Sequence, residues 1–300
     1  MIQRTTFDDE IRKNKTKSFF LILIIITFFM LLGYIIAKVL DPSYFFIIMI
    51  FSIIFTLGYT LISYYNSHKI AIMSVGARPA DPMHHKVFFN AVENMTLASG
   101  LPMPKLYVMN APQINAFASG RNPQNAVICV TTGALDKLSK QELEGVIAHE
   151  MSHIANYDVR FMTLAAVMIG MISIIAQMFL RSLWFSSSDR EGGKSNAILL
   201  IIGVLLSILA PILANLVALA ISRKREFGAD ATGVKFTRYP TGLASALKKI
   251  KHESISEQDK HRYPKAVAPL FISDPYKRKF RDLFATHPSI DLRIQKLEAM

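Results

Sequence analysis

The chain has 300 residues, of which 51% are apolar; its formal net charge at pH 7 is +12 and it has a single cysteine, Cys129. A lone cysteine excludes an intramolecular disulfide framework and fits a reducing compartment. The basic balance does not indicate nucleic acid, because the lysines and arginines flank apolar runs where they meet anionic headgroups, and no nucleic-acid module signature is present.

In chain order, residues 19–40 hold one charge, Lys38, and residues 44–65 hold none. Each run is about 20 residues or longer, enough to cross roughly 30 Å of hydrocarbon. The pair is too long and too closely spaced for a cleaved signal peptide. Residues 161–180 and 197–221 are also uncharged, but Gly170 and Gln177 dilute the first and Pro211 and Asn215 interrupt the second. They read as two further spans, or as an apolar hairpin that enters the bilayer only in part. Arg4, Arg12, Lys13, Lys15 and Lys17 precede the first run, and residues 41–43 carry no Lys or Arg. By the positive-inside rule the N-terminus is cytoplasmic, and after two spans the chain is back in the cytoplasm at Asn66. The expected organisation is therefore an N-terminal part at 1–65, one cytoplasmic domain made of 66–160 and 222–300, and a hydrophobic hairpin at 161–221 inserted into that domain.

Within the domain, residues 81–99 read as a helix, and residues 105–110 and 126–132 as strands with Pro, Asn and Gly clusters between them. Cys129 lies in the second strand, an apolar and β-branched setting that suits a buried structural thiol. Ser139 followed by Glu142 makes a capping box, and Val146 and Ile147 give the helix it starts an apolar face. That helix can run on into 161–180. Inside it lies His149-Glu150-Met151-Ser152-His153. Histidines four apart share a helix face and can reach one metal ion, with Glu150 between them aimed at the attacking water. A third ligand completes such a catalytic zinc site and leaves one position open. Glu226 and Asp230, again four apart, are the best sources: Glu226 as ligand, Asp230 orienting a ligating histidine. Spacing alone equally admits a juxtamembrane acid paired with Arg223 or Arg225.

His149–His153, the block at 226–230 and Thr286-His287-Pro288 occur in the order found in membrane-embedded zinc metalloproteases of the HtpX type, relatives of the CaaX-prenyl-protease-I family. The chain resembles these over nearly its whole length, including four apolar runs in matching positions. The resemblance implies an α+β, mainly α, gluzincin-like protease domain with a small β-sheet, four hydrophobic helices, and Glu226 as third zinc ligand. It implies His287 as a donor to the oxyanion of the tetrahedral intermediate, and Arg293 as the basic residue paired with it, bracing His287 or orienting a substrate carbonyl. A surface arginine is the plain alternative for Arg293. The segment at 115–120 is similar to the family's strand-edge segment, so Asn115, Ala116, Phe117 and Ala118 would hold an extended peptide by backbone hydrogen bonds; a buried connector between Pro112 and Pro123 is the other reading.

His149, His153 and Glu226 would thus bind one Zn²⁺, with Glu150 as general base toward a metal-activated water and proton donor to the leaving amine. Asp158 lies five residues past His153, off its face by simple periodicity. It is read as an outer partner of the site or as the cap of a juxtamembrane break. The expected function is a zinc endopeptidase in the cytoplasmic membrane, active site facing the cytoplasm, cutting misfolded or membrane proteins in quality control. Its partners are protein or peptide substrates and the lipid bilayer, with no nucleic acid. Two alternatives stand beside it: a processing protease for specific lipidated or peptide substrates, and a membrane scaffold holding a structural zinc. A channel is disfavoured because the apolar runs contain no Asp, Glu, Arg or His.

Overall fold

The computed structural model describes residues 7–39, 43, 45–166, 223–253, 267–273 and 288–300. Two long helices come first, α1 (Phe7–Val39) and α2 (Phe45–Ser74), packed on one another. Each contains a stretch long and apolar enough to cross a membrane: Asn14–Tyr34, with mean hydropathy 2.2, and Phe45–Ser74, with 2.4. The surface of α2 is inverted relative to a helix in water. Phe46 is 76% exposed and Phe51 69%, while Thr56, Thr60, Ser63 and Ser67 turn inward. A large exposed apolar surface of this kind belongs against lipid or a partner. At Asn66 (φ −107°, ψ 15°) the helix kinks, and the Asn66 amide donates to the Ile62 carbonyl at 3.0 Å. Beyond the kink α2 buries Ala71 and Ile72 against the sheet.

The sheet is mixed and small. Its strands are β1 (Arg78–Pro79), β2 (Lys105–Met109), β3 (Ala116–Gly120) and β4 (Ala126–Thr131), in the order β1-β2-β4-β3. β2 and β4 run parallel, and the two outer pairings are antiparallel. The period-2 alternation of a strand divides the residues between two cores. Ala116, Ala118, Ile128 and Val130 face one core; Phe117, Val127 and Cys129 face the other, which receives the end of α2. Cys129 is 1% exposed and burial pushes its thiol pKa up, as a structural cysteine requires. The expected strands form with ends one residue short. The expected helix at 81–99 is shorter: Asp81 accepts from Met83 and from His85 to make a turn, and α3 (Lys86–Ser99) starts after it.

On the first core lie α3, α5 (Lys140–Ala155) and α7 (Pro240–His252); the short α4 (Thr132–Lys137) comes just before α5, and α8 (Ile290–Glu298) comes after α7. The capping box at the start of α5 is present: Ser139 Oγ accepts from the Glu142 N–H, and Glu142 Oε2 accepts from the Ser139 N–H at 2.7 Å. α6 (Arg223–Thr237) crosses α5 closely at Gly233, where a Cβ would stand 3.1 Å from the His149 nitrogen.

α5 does not run straight on. It ends at Ala155, Tyr157 adopts a left-handed conformation (φ 59°), and a new helical segment starts at Asp158. A non-glycine residue in that region costs energy and sharply redirects the chain. Residues 161–166, the start of the third apolar run, are buried in the protein's second core; the rest of the expected hairpin lies outside the described residues.

Candidate metal centre

Three elements converge on one point. α5 contributes His149, Glu150 and His153, α6 contributes Glu226 and Asp230, and α8 contributes Arg293; all are at most 4% exposed. The two Nε2 atoms face each other at 3.2 Å. Glu226 Oε2 is 3.7 Å from His149 Nε2, and Oε1 is 3.6 Å from His153 Nε2. Ligand atoms at 2.0–2.1 Å from a tetrahedral zinc lie about 3.3 Å from one another, so this triangle is close to the size the ion requires. The three residues can hold one metal ion.

Each histidine has its own carboxylate behind it. His149 Nδ1 is 2.9 Å from Asp230 Oδ1, and His153 Nδ1 is 3.1 Å from Asp158 Oδ2. A ring donating through Nδ1 presents its Nε2 lone pair forward, which is the tautomer a ligand needs. Asp230, expected in this role, lies within hydrogen-bond distance of His149 Nδ1. Asp158 also reaches its histidine despite the spacing, because the left-handed Tyr157 turns the chain back toward α5.

Arg293 is no surface residue. It is 1% exposed and grips Asp230 with both arms, Nε to Oδ2 at 2.9 Å and Nη2 to Oδ1 at 2.7 Å. Its Nη1 donates to the Ile272 carbonyl at 3.2 Å and lies 3.4 Å from Glu226 Oε2. His287, its expected partner, is outside the described residues.

The electrostatics of the centre are unbalanced in one direction. Glu150, Asp158, Glu226 and Asp230 are buried carboxylates, met by two buried guanidiniums, those of Arg225 and Arg293. With neutral histidines, these described residues sum to two negative charges, which one divalent ion would balance. In the metal-free protein, protons fill the gap. Burial would lower the pKa of His153, but the Asp158 hydrogen bond and the nearby Glu226 outweigh it and raise the value to about 9. Burial raises Glu150 to about 7; Glu226 adds to this, while His153 and the Ala118 N–H oppose it. His149 goes the other way, to about 4, through burial and the adjacent Arg293. Among the described residues, neither Glu150 oxygen has a hydrogen-bond partner of normal geometry, although both are buried. An orphaned buried carboxylate is costly and marks a group kept for another molecule.

Asn115, Ala116, Phe117 and Ala118 lie on the outer edge of the sheet, but part of that edge is taken. The Ala116 carbonyl accepts from the Ile272 N–H at 2.9 Å, Phe117 bridges to Phe271, and the Asn115 amide donates to the Ser273 carbonyl at 3.1 Å. The edge expected to be free is thus paired from Asn115 to Phe117, and Ala118 is the residue next to Glu150. Sequence reasoning missed this strap at Phe271–Ser273, and it missed Asn14 and Arg225 as partners of Asp158. None of these carries a local signal, since each meets its partner across the fold.

The family model of peptidase family M48 matches residues 86–300. A protein named as a protease HtpX homolog in Caldanaerobacter subterraneus subsp. tengcongensis is 49% identical over 243 residues, covering 80% of each chain. Another in Dictyoglomus thermophilum is 43% identical over 295 residues, covering 98% of this chain and 95% of its own. The crystal structure of S. mikatae Ste24p aligns with a TM-score of 0.49 at 17% identity, covering 95% of this chain and 66% of that one. From a family match across the domain and identities of this size over most of the length, the chain belongs to peptidase family M48, among its HtpX-type proteases.

Proposed function

We propose that the chain is a membrane-anchored zinc endopeptidase whose active site faces the cytoplasm and which cuts misfolded or membrane proteins in quality control. The observation that carries this reading is the orphaned Glu150 carboxylate beside three converging donors, His149, His153 and Glu226, two of them backed by carboxylates. The nitrogen and carboxylate donor set favours zinc over magnesium or calcium. When bound, such an ion supplies Lewis acidity: it makes water acidic near neutral pH and polarises a carbonyl.

The chain's own residues do the rest. Glu150, ionised, takes the proton of the attacking water on its carboxylate and delivers it to the leaving amine. Asp230 and Asp158 hold the two imidazoles in the ligating tautomer, and Arg293 fixes Asp230. His287 stays the proposed donor to the oxyanion. A peptide adding to β3 would find Ala118 beside Glu150. The gluzincin-type fold, the cytoplasmic domain split as 66–160 and 222–300, and further spans within 161–221 are part of the same proposal. One geometric point fits two further spans and a hairpin that does not cross alike, and is at odds with one span or three: α5 and α6 meet at one site, so the chain between them must return to the same side.

The test pairs two variants of the full chain in detergent. Glu226→Ala should lose both metal and casein cleavage. Glu150→Gln should keep wild-type metal and fail to cleave a membrane-protein reporter. Cleavage by Glu150→Gln at the wild-type rate would remove the mechanism and favour a scaffold with structural zinc.

A further inference from the structure

Asn14 sits in the basic head of α1, between Lys13 and Lys15, yet it is 3% exposed. Its amide nitrogen donates to Asp158 Oδ1 at 2.8 Å and to the Asn156 carbonyl at 2.9 Å. Both partners are acceptors only, which settles which end of the amide faces them. Arg225 Nε approaches the same Asp158 oxygen at 3.3 Å. The two oxygens of Asp158 are therefore divided: Oδ1 is held by Asn14 and Arg225, while Oδ2 meets His153 Nδ1. Next to this contact, Ser18 Oγ donates to the Asn14 carbonyl at 2.8 Å, and Lys15 Nζ lies 4.5 Å above the Tyr157 ring.

We infer that Asn14 is a positioning residue for the metal centre, through which the first apolar helix sets the His153 imidazole by way of Asp158. The inference rests on reading His149, His153 and Glu226 as metal ligands. Its physical basis is rotational. A carboxylate held on one oxygen by a single donor can swing about its Cβ–Cγ bond. Two donors from different elements pin it, and the pinned second oxygen then defines the ring plane of the histidine. Only a neutral donor of asparagine's length serves. A lysine at 14 would compete with Arg225 and draw Asp158 toward itself, and an aspartate would repel it. Carboxylates that directly hold a ligating histidine are worth about 10- to 100-fold in metal affinity or activity elsewhere, and Asn14 acts through one of them, at the low end of that range. The arrangement also ties the metal to the membrane: any displacement of α1 from the Asn156–Asp158 bend loosens one ligand.

The experiment uses the zinc-loaded full chain in detergent, as wild type, Asn14→Ala, Asn14→Asp, Lys15→Ala and His153→Ala. It reads the rate of zinc loss to a chelator, the thermal midpoint of the metal-stripped protein, and kcat and KM on a peptide. Asn14→Ala should shed zinc about 10-fold faster and lower kcat at unchanged KM, while the stripped protein stays folded with only the modest drop in midpoint that two lost buried hydrogen bonds bring. Asn14→Asp, which keeps the volume and removes the donor, should shed it faster still. Lys15→Ala removes a neighbouring α1 contact but leaves Asn14 in place, and it should hold zinc as wild type does. Wild-type zinc loss in both Asn14 variants overturns the inference, as does Lys15→Ala matching Asn14→Ala, since the effect would then be helix docking alone. If His153→Ala holds zinc like wild type, the metal-site reading has failed and the inference falls with it. Zinc loss in His153→Ala with unchanged Asn14 variants sinks the inference and leaves that reading standing.

Discussion

Arg293 and Asp230 form a two-pronged pair at 2.9 and 2.7 Å, with both side chains almost wholly out of water. Removing one member of such a pair leaves the other as a buried, uncompensated charge, which costs about 3–5 kcal/mol. Arg293→Ala should therefore lower stability by about that much and weaken metal retention, because Asp230 no longer holds His149. Arg293→Lys should recover only part of either, since an ammonium cannot match the planar fork. Thermal unfolding and metal content on the two variants check this; full recovery in the lysine variant would reduce Arg293 to a bare counter-charge.

Metal uptake should expel protons. Before the ion enters, His153 titrates at about 9 and Glu150 at about 7, so at pH 8 the first is protonated and the second ionised. The ion needs a neutral imidazole, so binding at pH 8 should release about one proton, rising toward two near pH 6 as Glu150 also starts out protonated. His149, at about 4, contributes none in this range. Calorimetry in buffers of different ionisation enthalpy measures the number. A release that is flat from pH 6 to 8 would contradict the assignment to Glu150.

The capping box gives a pH dependence of stability. Burial would raise the Glu142 carboxyl, but Lys249 and the Ser139 N–H outweigh it and the folded value is lowered. A depressed carboxylate contributes stability that is present above its unfolded value and is lost as pH falls through the folded one. Acidification should thus destabilise the start of α5, and Ser139→Ala should cost about 1 kcal/mol at neutral pH. Lys249→Ala, which removes the 2.6 Å partner of Glu142, should flatten the acid limb of the thermal-midpoint profile.

Gly233 tests how tightly α6 is seated on the ligand helix. A methyl there meets the backbone of Ala148 and His149 at 3.1–3.4 Å, so Gly233→Ala should cost about 1–3 kcal/mol and the bulkier Gly233→Val more, pushing Glu226 and Asp230 away from the histidines. Metal content should fall in that order. Equal retention in the valine variant would mean the two helices part without disturbing the centre.

What could be read ahead from residues alone was local. His149, His153, Ser139 and Glu142 lie within one helix, where spacing fixes which side chains share a face. Glu226 and Asp230 gave the right periodicity but not their neighbours, and only the assembled fold brings Glu226 to the two histidines and Asp230 to His149 and Arg293. Asp158 violated periodicity because Tyr157 turns left-handed, a conformation no residue other than glycine advertises. Asn14 and its partner are 144 positions apart, and an asparagine between two lysines looks like any solvated position. The strap at Phe271–Ser273 was invisible for the same reason: backbone pairing across the fold leaves no side-chain signature.

The path of α2 carries one more consequence. It leaves its apolar stretch, bends at Asn66 and ends against the back of the sheet whose front carries α5. The catalytic layer is thus mounted at a set height over whatever plane the apolar stretch occupies. If the proposed membrane anchoring holds, a protease built in this way would work as a ruler before it works as a reader. It would select a peptide bond first by distance from the boundary and only then by neighbouring side chains. Lengthening a substrate between its membrane segment and the cut should move the cut to a new sequence at an unchanged distance.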